Sequence, residues 1–306
     1  MGGGAVLARR AMQAFVVLWM LVTLLFFISR MSGDPVVMLT EGAIDPEDVE
    51  ALRAAYGFDD PIMVQYGRFL SEVSRGDFGD SVRTFQSARY LVVSRIPVSL
   101  KLAIPAFILV LLIAIPLGSL AAVKRGPIGA VAMVMAVIFQ SVPSFFLGVL
   151  YIFLFGVTLR WLPVFGSGGI EHYILPVATL MGYDLARYTR LMRAQVSETL
   201  TQEYVRTARA KGLAEVNVIR KHVMRNSLLP IITVMGVDIG TLAGSAIIVE
   251  AVFAWPGFGT LVVEAAKTRD YPVIQAAGFT IGLLVVTGSL LSDYAYGLVD
   301  PRIRRS

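Results

Sequence analysis

A basic stretch, "EYVRTARAKGLAEVNVIRKHVMRNSLLP", runs from Glu203 to Pro230. It lies in a chain of 306 residues that is 56% hydrophobic and only 16% charged. The core of a soluble domain does not need so much apolar sequence, and here the apolar residues occur in long runs without charge. The pattern therefore predicts a membrane protein in which the basic stretch leads into a membrane span.

The apolar residues form six runs, each close to or above the roughly 20 residues that a helix needs to cross the hydrocarbon. The third run is longer than one span and is expected to bend at Pro143 or to include an interfacial end, and the fourth is interrupted by Asp184 and Arg187. The sequence thus predicts an all-α membrane protein with six transmembrane helices. The runs are Ala11–Ser29, Leu102–Val123, Pro127–Leu159, Tyr173 to about Met192, Leu228–Phe253 and Val273–Leu291.

The first run could also be a cleaved signal peptide, with Arg9 and Arg10 as its basic leader. Its 19 uncharged residues exceed the usual apolar region of such a peptide. The sequence "FFISRMSG" that follows offers no clear pair of small residues for cleavage. An uncleaved first span is the preferred interpretation.

The Lys and Arg residues predict the orientation, because short cytoplasmic loops are enriched in them. If both termini are cytoplasmic, the inner segments hold 16 of the 27 basic residues. The short outer loops then hold only Arg160, Lys267 and Arg269. The expected division is residues 1–29 for the inner N-terminus and first span, 30–97 for an outer insert, and 98–306 for a core with five spans.

The outer insert is predicted to be helical. One helix follows Asp45 and Pro46 and stops at Gly57, and a second is capped by Asp60 and stops at Gly76. The second helix has an apolar face of Ile62, Tyr66, Phe69 and Val73. The insert could merely cap the helix bundle, or it could be a docking surface for an outside partner, and the sequence favours neither.

The inner loop, about residues 194–226, is predicted to contain two amphipathic helices on either side of Gly212. Gly212 can adopt the left-handed conformation that ends a helix, and the second helix is expected to place Val216, Ile219 and Val223 on one face. Lying on anionic membrane lipid would account for the charge of this loop. It would not account for two helices around a glycine, which is typical of a rigid elbow inserted into a groove of another protein.

The basic stretch resembles the cytoplasmic loop of ABC importer permeases, in particular the peptide/nickel branch, with its pattern Y-V-x-T-A-R-A-K-G followed by H-x-x-R-N-[AS]-L-x-P. The broader signature of these permeases begins E-A-A, but here Arg206, Thr207 and Ala208 occupy those positions. The resemblance extends over nearly the whole chain. Its other motifs are "SGDPV", "YGFDDPIMVQYGRFL", "GDFGDSV", "VPSFFLG", "WLPVFG", "IIVEAVFAWPGFGTLVVEAAKTRDYPVIQ" and "DYAYGLVDPRIR".

The resemblance implies a type I ABC importer permease in a bacterial or archaeal cell membrane. Two homologous permease subunits would pair above two cytoplasmic ATPase subunits, and an outside solute-binding protein would deliver the substrate. ATP and Mg²⁺ would be bound by the ATPase subunits, so no cofactor, metal or nucleic acid is expected on this chain. The residues implied to couple the chain to an ATPase are Thr207, Ala208, Arg209, Ala210, Lys211, Gly212 and Leu213.

Two other classes of function remain to be weighed. A secondary transporter would use ionisable groups inside its spans, for which Asp238, Glu250 and Asp293 are candidates, but it has no need of the inner elbow. A membrane enzyme would need a catalytic constellation, and the sequence contains no G-x-S-x-G, H-E-x-x-H or phosphate-binding G-x-x-x-x-G-K-[ST] motif. The permease interpretation is therefore preferred.

Glycines recur every fourth residue in the last two runs, at Gly236, Gly240 and Gly244 and at Gly278 and Gly282. This spacing is typical of closely packed membrane helices.

For the substrate, short peptides are favoured over nickel, because the chain has no Cys and only two His residues. A metal passing as a chelate would need no such ligands, so nickel and other small polar solutes stay as alternatives.

Overall fold

The computed structural model of the chain describes residues 3–31, 50, 59–124 and 126–299. Within these residues the protein is helical and contains no β-strand, only one isolated antiparallel bridge between Asp80 and Ser87. The helix predicted after Asp45 lies outside the described residues. The chain divides into two compact units, one formed by residues 1–97 with 260–286 and the other by residues 98–259 with 287–306.

The described helices are α1 (Gly3–Met31), α2 (Ile62–Ser74), α3 (Ala88–Val123), α4 (Pro127–Ser141), α5 (Ser144–Tyr151), α6 (Glu171–Leu200), α7 (Glu203–Ala210), α8 (Glu215–Asn217), α9 (Met224–Ser245), α10 (Ile247–Val252), α11 (Phe258–Thr268) and α12 (Tyr271–Val299). Two π-helical segments extend this set. Ile152–Thr158 follows α5, and Val218–Val223 joins α8 to α9.

Four stretches of helix are long and apolar enough to cross a membrane: Arg9–Met31, Ala88–Val123, Glu215–Leu242 and Tyr271–Leu290. A fifth candidate is the pair Gly129–Ser141 and Ser144–Thr158, whose axes differ by 102°. Because the break falls at Val142 and Pro143, the predicted bend at Pro143 is confirmed. The fourth apolar run is helical as part of α6, but α6 is not among these candidates, so the count of six spans stays a prediction.

The first unit packs α2 against α1 through aromatic rings. The ring of Phe26 lies 5.3 Å from that of Tyr66 and 5.2 Å from that of Phe69, and the hydroxyls of Thr23 and Tyr66 are 2.6 Å apart. The predicted apolar face of α2 is therefore confirmed, except that Ile62 is exposed. The expected cap is wrong, because none of the described side chains caps α2 and the carboxylate of Asp60 accepts a hydrogen bond from Arg68 instead.

The second unit is built around α6. Tyr188, Met192 and Val196, one to two turns apart along this helix, are fully buried in one apolar cluster together with Val110 of α3 and Ile231 of α9. Helix α3 comes so close to α6 that a β-carbon on Gly118 would lie 2.4 Å from the carbonyl oxygen of Thr189. A rigid helix bundle therefore supports the segment that follows α6.

The second predicted helix of the inner loop differs from expectation in its extent and in its face. It runs without a break from α8 through the π-helical segment into α9. Val223 is buried and Ile219 is half-buried, as predicted, but Val216 is exposed and Val218 is buried in its place. The wider π-helical turn changes the angle between successive side chains, so a period of 3.6 residues misplaces this face.

Candidate functional site

The basic elbow, residues 203–217, is formed by α7, a tight turn at Gly212 and α8. Gly212 has φ +77°, which is the left-handed conformation predicted from the sequence. Its N–H donates to the carbonyl of Arg209 (2.9 Å), and the N–H of Leu213 donates to that of Ala208 (3.4 Å). These bonds satisfy carbonyl groups at the end of α7, as in other helices that end on a left-handed glycine.

The inner face of the elbow is anchored to the second unit. Val205 and Ala208 of α7 are buried in the same cluster as Val218 and Val223. Two polar contacts hold the flanking segments together: the side-chain amide of Asn226 donates to the hydroxyl of Tyr204 (3.0 Å), and the hydroxyl of Ser227 donates to that of Thr199 (3.0 Å). The position of the elbow is therefore set by α6 and α9 and not by a flexible loop.

The outer face of the elbow carries six of the seven predicted coupling residues. Thr207, Arg209, Ala210, Lys211, Gly212 and Leu213 are all exposed. Ala208 is buried and points into the core of its own subunit, so it is not available at this surface.

The outer face also contains an ion pair. Arg209 donates from Nε and Nη2 to the two carboxylate oxygens of Glu215 (3.1 and 2.6 Å). The hydrogen bond to Glu215 raises the pKa of the Arg209 guanidinium above its usual range, so this residue stays charged. Arg209 therefore already has a carboxylate partner within the elbow. Lys211 adds a second cation to the same surface.

A charged cluster links α6 and α9 inside the second unit. Arg187 and Tyr188 both donate to Oδ2 of Asp238, the latter over 2.6 Å. The Nε atom of Arg187 lies 3.7 Å from Oδ1 of Asp184. The sequence singled out these charges as interruptions of apolar runs, but it did not reveal that Arg187 and Asp238 pair across two helices.

A second polar cluster surrounds Glu250 of α10, which is fully buried. Its Oε2 accepts a hydrogen bond from the N–H of Gly259 (2.7 Å). In the same loop the indole of Trp255 donates to the carbonyl of Val98 (3.2 Å). Asp238 and Glu250, two of the three residues a secondary transporter would use, thus take part in contacts that hold helices and loops together. The side chain of Asp293 lies outside the described residues.

Some of the glycines predicted to pack helices lie against another helix, and one does not. A β-carbon on Gly278 or Gly282 would lie 2.7 and 2.4 Å from leucine side chains of α1, whereas one on Gly244 would meet nothing within 4 Å. The backbone of Gly240 faces Gly288 of α12, where a β-carbon would come within 2.1 Å of the Gly240 Cα. Gly236 lies on α9 one turn before Gly240. Gly288 was missed because it does not continue the four-residue spacing.

No group of three or more His, Asp or Glu side chains in the described part of the chain is placed to hold a metal ion. The fold, with its apolar helices and its exposed elbow, is that of a multi-pass membrane protein. The comparisons with known proteins agree with this class and make it specific.

Residues 114–305 match the family described as "Binding-protein-dependent transport system inner membrane component", and residues 5–103 match the description "Binding-prot-dependent transport system membrane comp, N-term". The chain belongs to this family. Its members are transport permease components of ABC importers, so the chain is not an enzyme.

Three relatives illustrate the similarity. The oligopeptide transport system permease protein AppB of Bacillus subtilis is 38% identical over 98% of this chain and 99% of its own length. The glutathione transport system permease protein GsiC of Salmonella paratyphi A is 37% identical over 92% of this chain and 93% of its own. A putative peptide transport system permease protein of Brucella abortus is 34% identical over 98% and 99%.

A solved structure shows the fold. The methionine ABC transporter MetNI in inward-facing conformations aligns with a TM-score of 0.54 and 20% sequence identity. The alignment covers 69% of this chain and 97% of that one. The fold is therefore that of a type I ABC importer permease.

Proposed function

We propose that the chain is the membrane-spanning subunit of an ATP-driven importer that moves short peptides, delivered by a solute-binding protein, into the cytoplasm. The similarity to oligopeptide, glutathione and putative peptide permeases at 34–38% identity carries this proposal, because it extends over nearly the whole chain. It supports a peptide substrate over the nickel ion that the sequence left open.

The proposed topology has six spans with both termini in the cytoplasm and residues 30–97 outside. Helix α6 serves as the fourth span. Its charged residue Arg187 is paired with Asp238 of α9, which offsets part of the cost of placing a charge in the hydrocarbon. This topology places the elbow on the cytoplasmic side, in agreement with the concentration of Lys and Arg there.

The proposed partners are a second permease subunit, two ATPase subunits that bind ATP and Mg²⁺, and the solute-binding protein. The exposed part of the elbow is the proposed contact with an ATPase subunit. Because the elbow is anchored by Val205 and Ala208 to the core of the second unit, a displacement of the elbow would be transmitted to α6 and α9. That rigidity supports a role in coupling ATP hydrolysis to movement of the spans.

The substrate is tested with a strain that lacks this gene. We expect loss of growth when dipeptides or oligopeptides are the sole source of a required amino acid, with nickel-64 accumulation unchanged. Growth should return with the wild-type gene. Normal use of peptides together with lost nickel uptake would refute the peptide assignment and favour the metal.

A further inference from the structure

A cavity of about 190 Å³ lies between α3, α5, α6, α9 and α10 in the second unit. Most of its wall is apolar, from residues such as Phe107 and Leu180. The polar residues of the wall are Ser144, Tyr183, Ser245 and Asp184. Asp184 is the only charged residue among the described residues that line it.

The charge of Asp184 is only partly balanced. Arg187 directs its Nη2 atom to Asp238, which also accepts the hydroxyl of Tyr188, so Asp238 has two donors. Among the described residues, the cation that faces Asp184 is Arg187, whose Nε atom lies 3.7 Å away, beyond hydrogen-bonding distance. Two carboxylates thus share one guanidinium, and the negative charge in excess lies on the wall of the cavity.

We propose that this cavity is a transient site for the ammonium group of a substrate, in particular the protonated amino terminus of a peptide. This inference rests on the proposed function. The α-amino group of a peptide has a pKa of about 7.7–8.0 and is largely cationic at neutral pH. It has three donors, which match the Asp184 carboxylate and the nearby hydroxyls, and the Tyr183 and Phe107 rings are of the kind that attracts cations.

The size of the cavity limits what can enter. A volume of about 190 Å³ corresponds to about six water molecules at roughly 30 Å³ each. This space is large enough for an ammonium group and the first part of a peptide. The terminal carboxylate of a peptide would be repelled by Asp184. The site therefore selects one end of the substrate and leaves the remaining side chains unconstrained, which suits a transporter of varied peptides.

The local charge is tested directly with thiol reagents, because the chain has no native cysteine. In the assembled complex, Ser245→Cys is treated with a cationic and an anionic methanethiosulfonate, and modification of this subunit is followed by mass spectrometry. We expect the ratio of the cationic to the anionic rate to fall about tenfold when Asp184→Asn is added, since a negative charge attracts cations and repels anions at short range.

A matched control lies on the same helix. Glu198→Gln removes an exposed carboxylate that is 14 residues from Asp184, about 21 Å along α6. This separation exceeds the screening length of about 8 Å at physiological salt, so the rate ratio should not change. If Asp184→Asn also leaves the ratio unchanged, the cavity does not attract cations through Asp184 and the inference is wrong.

Transport by the reconstituted complex then tests the link to peptides. Two peptides that differ only in acetylation of the amino terminus are compared, and uptake is corrected for their affinities for the isolated solute-binding protein. We expect Asp184→Asn to reduce the preference for the free amino terminus about tenfold and Asp184→Glu to preserve it.

The outcomes separate the two proposals. If the wild-type complex transports no peptide, the proposed function fails and the assignment to a peptide amino terminus falls with it. If the complex transports peptides but Asp184→Asn leaves the preference unchanged, only the site at Asp184 is refuted. Equal losses for both peptides in Asp184→Asn and Asp184→Glu would show that Asp184 is a structural brace and would likewise refute the site.

Discussion

Gly212 allows the coupling proposal to be tested with little steric interference. Among the described residues of this chain, a β-carbon at this position would meet nothing within 4 Å. Within this chain the penalty comes from the backbone, because φ is +77° and an L-residue in the left-handed conformation costs about 1–2 kcal/mol. A cost of this size shifts an equilibrium about 5–30-fold. We expect Gly212→Ala to reduce peptide uptake within this range, if coupling requires the observed turn.

Other residues at this position should rank by their tolerance of positive φ. Gly212→Asn should retain more uptake than Gly212→Ala, since Asn adopts the left-handed conformation more readily, and Gly212→Val should retain the least because it is β-branched. Gly67→Ala, which adds a methyl group in open space at a helical position, is the control and should transport normally.

The assay measures uptake and ATP hydrolysis by the reconstituted complex at equal subunit abundance. The expected defect is less peptide moved for each ATP hydrolysed. Wild-type uptake by Gly212→Val would show that the turn at Gly212 is not required for coupling. A Gly212→Asn variant as impaired as Gly212→Ala would show that φ preference is not the cause of the defect.

Three further predictions follow from packing, burial and topology. Gly288→Ala should lower the melting temperature of the complex and its free energy of unfolding by about 1–3 kcal/mol, because the added β-carbon would lie 2.1 Å from the Gly240 Cα of the facing helix. Gly244→Ala, whose β-carbon would meet no described atom within 4 Å, should leave the melting temperature unchanged. Equal melting temperatures for the two variants would contradict this packing. Glu250→Ala should destabilise the protein by about 1–3 kcal/mol, since it leaves a buried N–H without its acceptor, and unchanged resistance to heat and protease would refute this. In intact cells an impermeant maleimide should label Ser71→Cys but not Asn217→Cys, and the opposite result would reverse the proposed orientation.

The sequence predicted the features that depend on local chemistry. Long uncharged runs indicate membrane helices wherever they occur, and the Pro143 bend and the left-handed Gly212 follow from the covalent geometry of proline and glycine. The motif around Gly212 was specific enough to predict the family. One residue of the predicted face after Gly212 was wrong: Val218 is buried where Val216 was expected, because the 3.6-residue period does not apply across the π-helical segment at Val218–Val223.

Contacts between distant residues were decided by the tertiary structure. The sequence shows that Asp184, Arg187 and Asp238 occur in apolar runs. Which of the two carboxylates forms a hydrogen bond with the guanidinium of Arg187 depends on how α6 and α9 are rotated toward each other. The approach of Gly288 to Gly240 depends in the same way on the relative position of α9 and α12. Periodicity determines which side chains share a face of one helix. It leaves undetermined which face of the next helix they meet, because that arrangement is set by packing over the whole bundle.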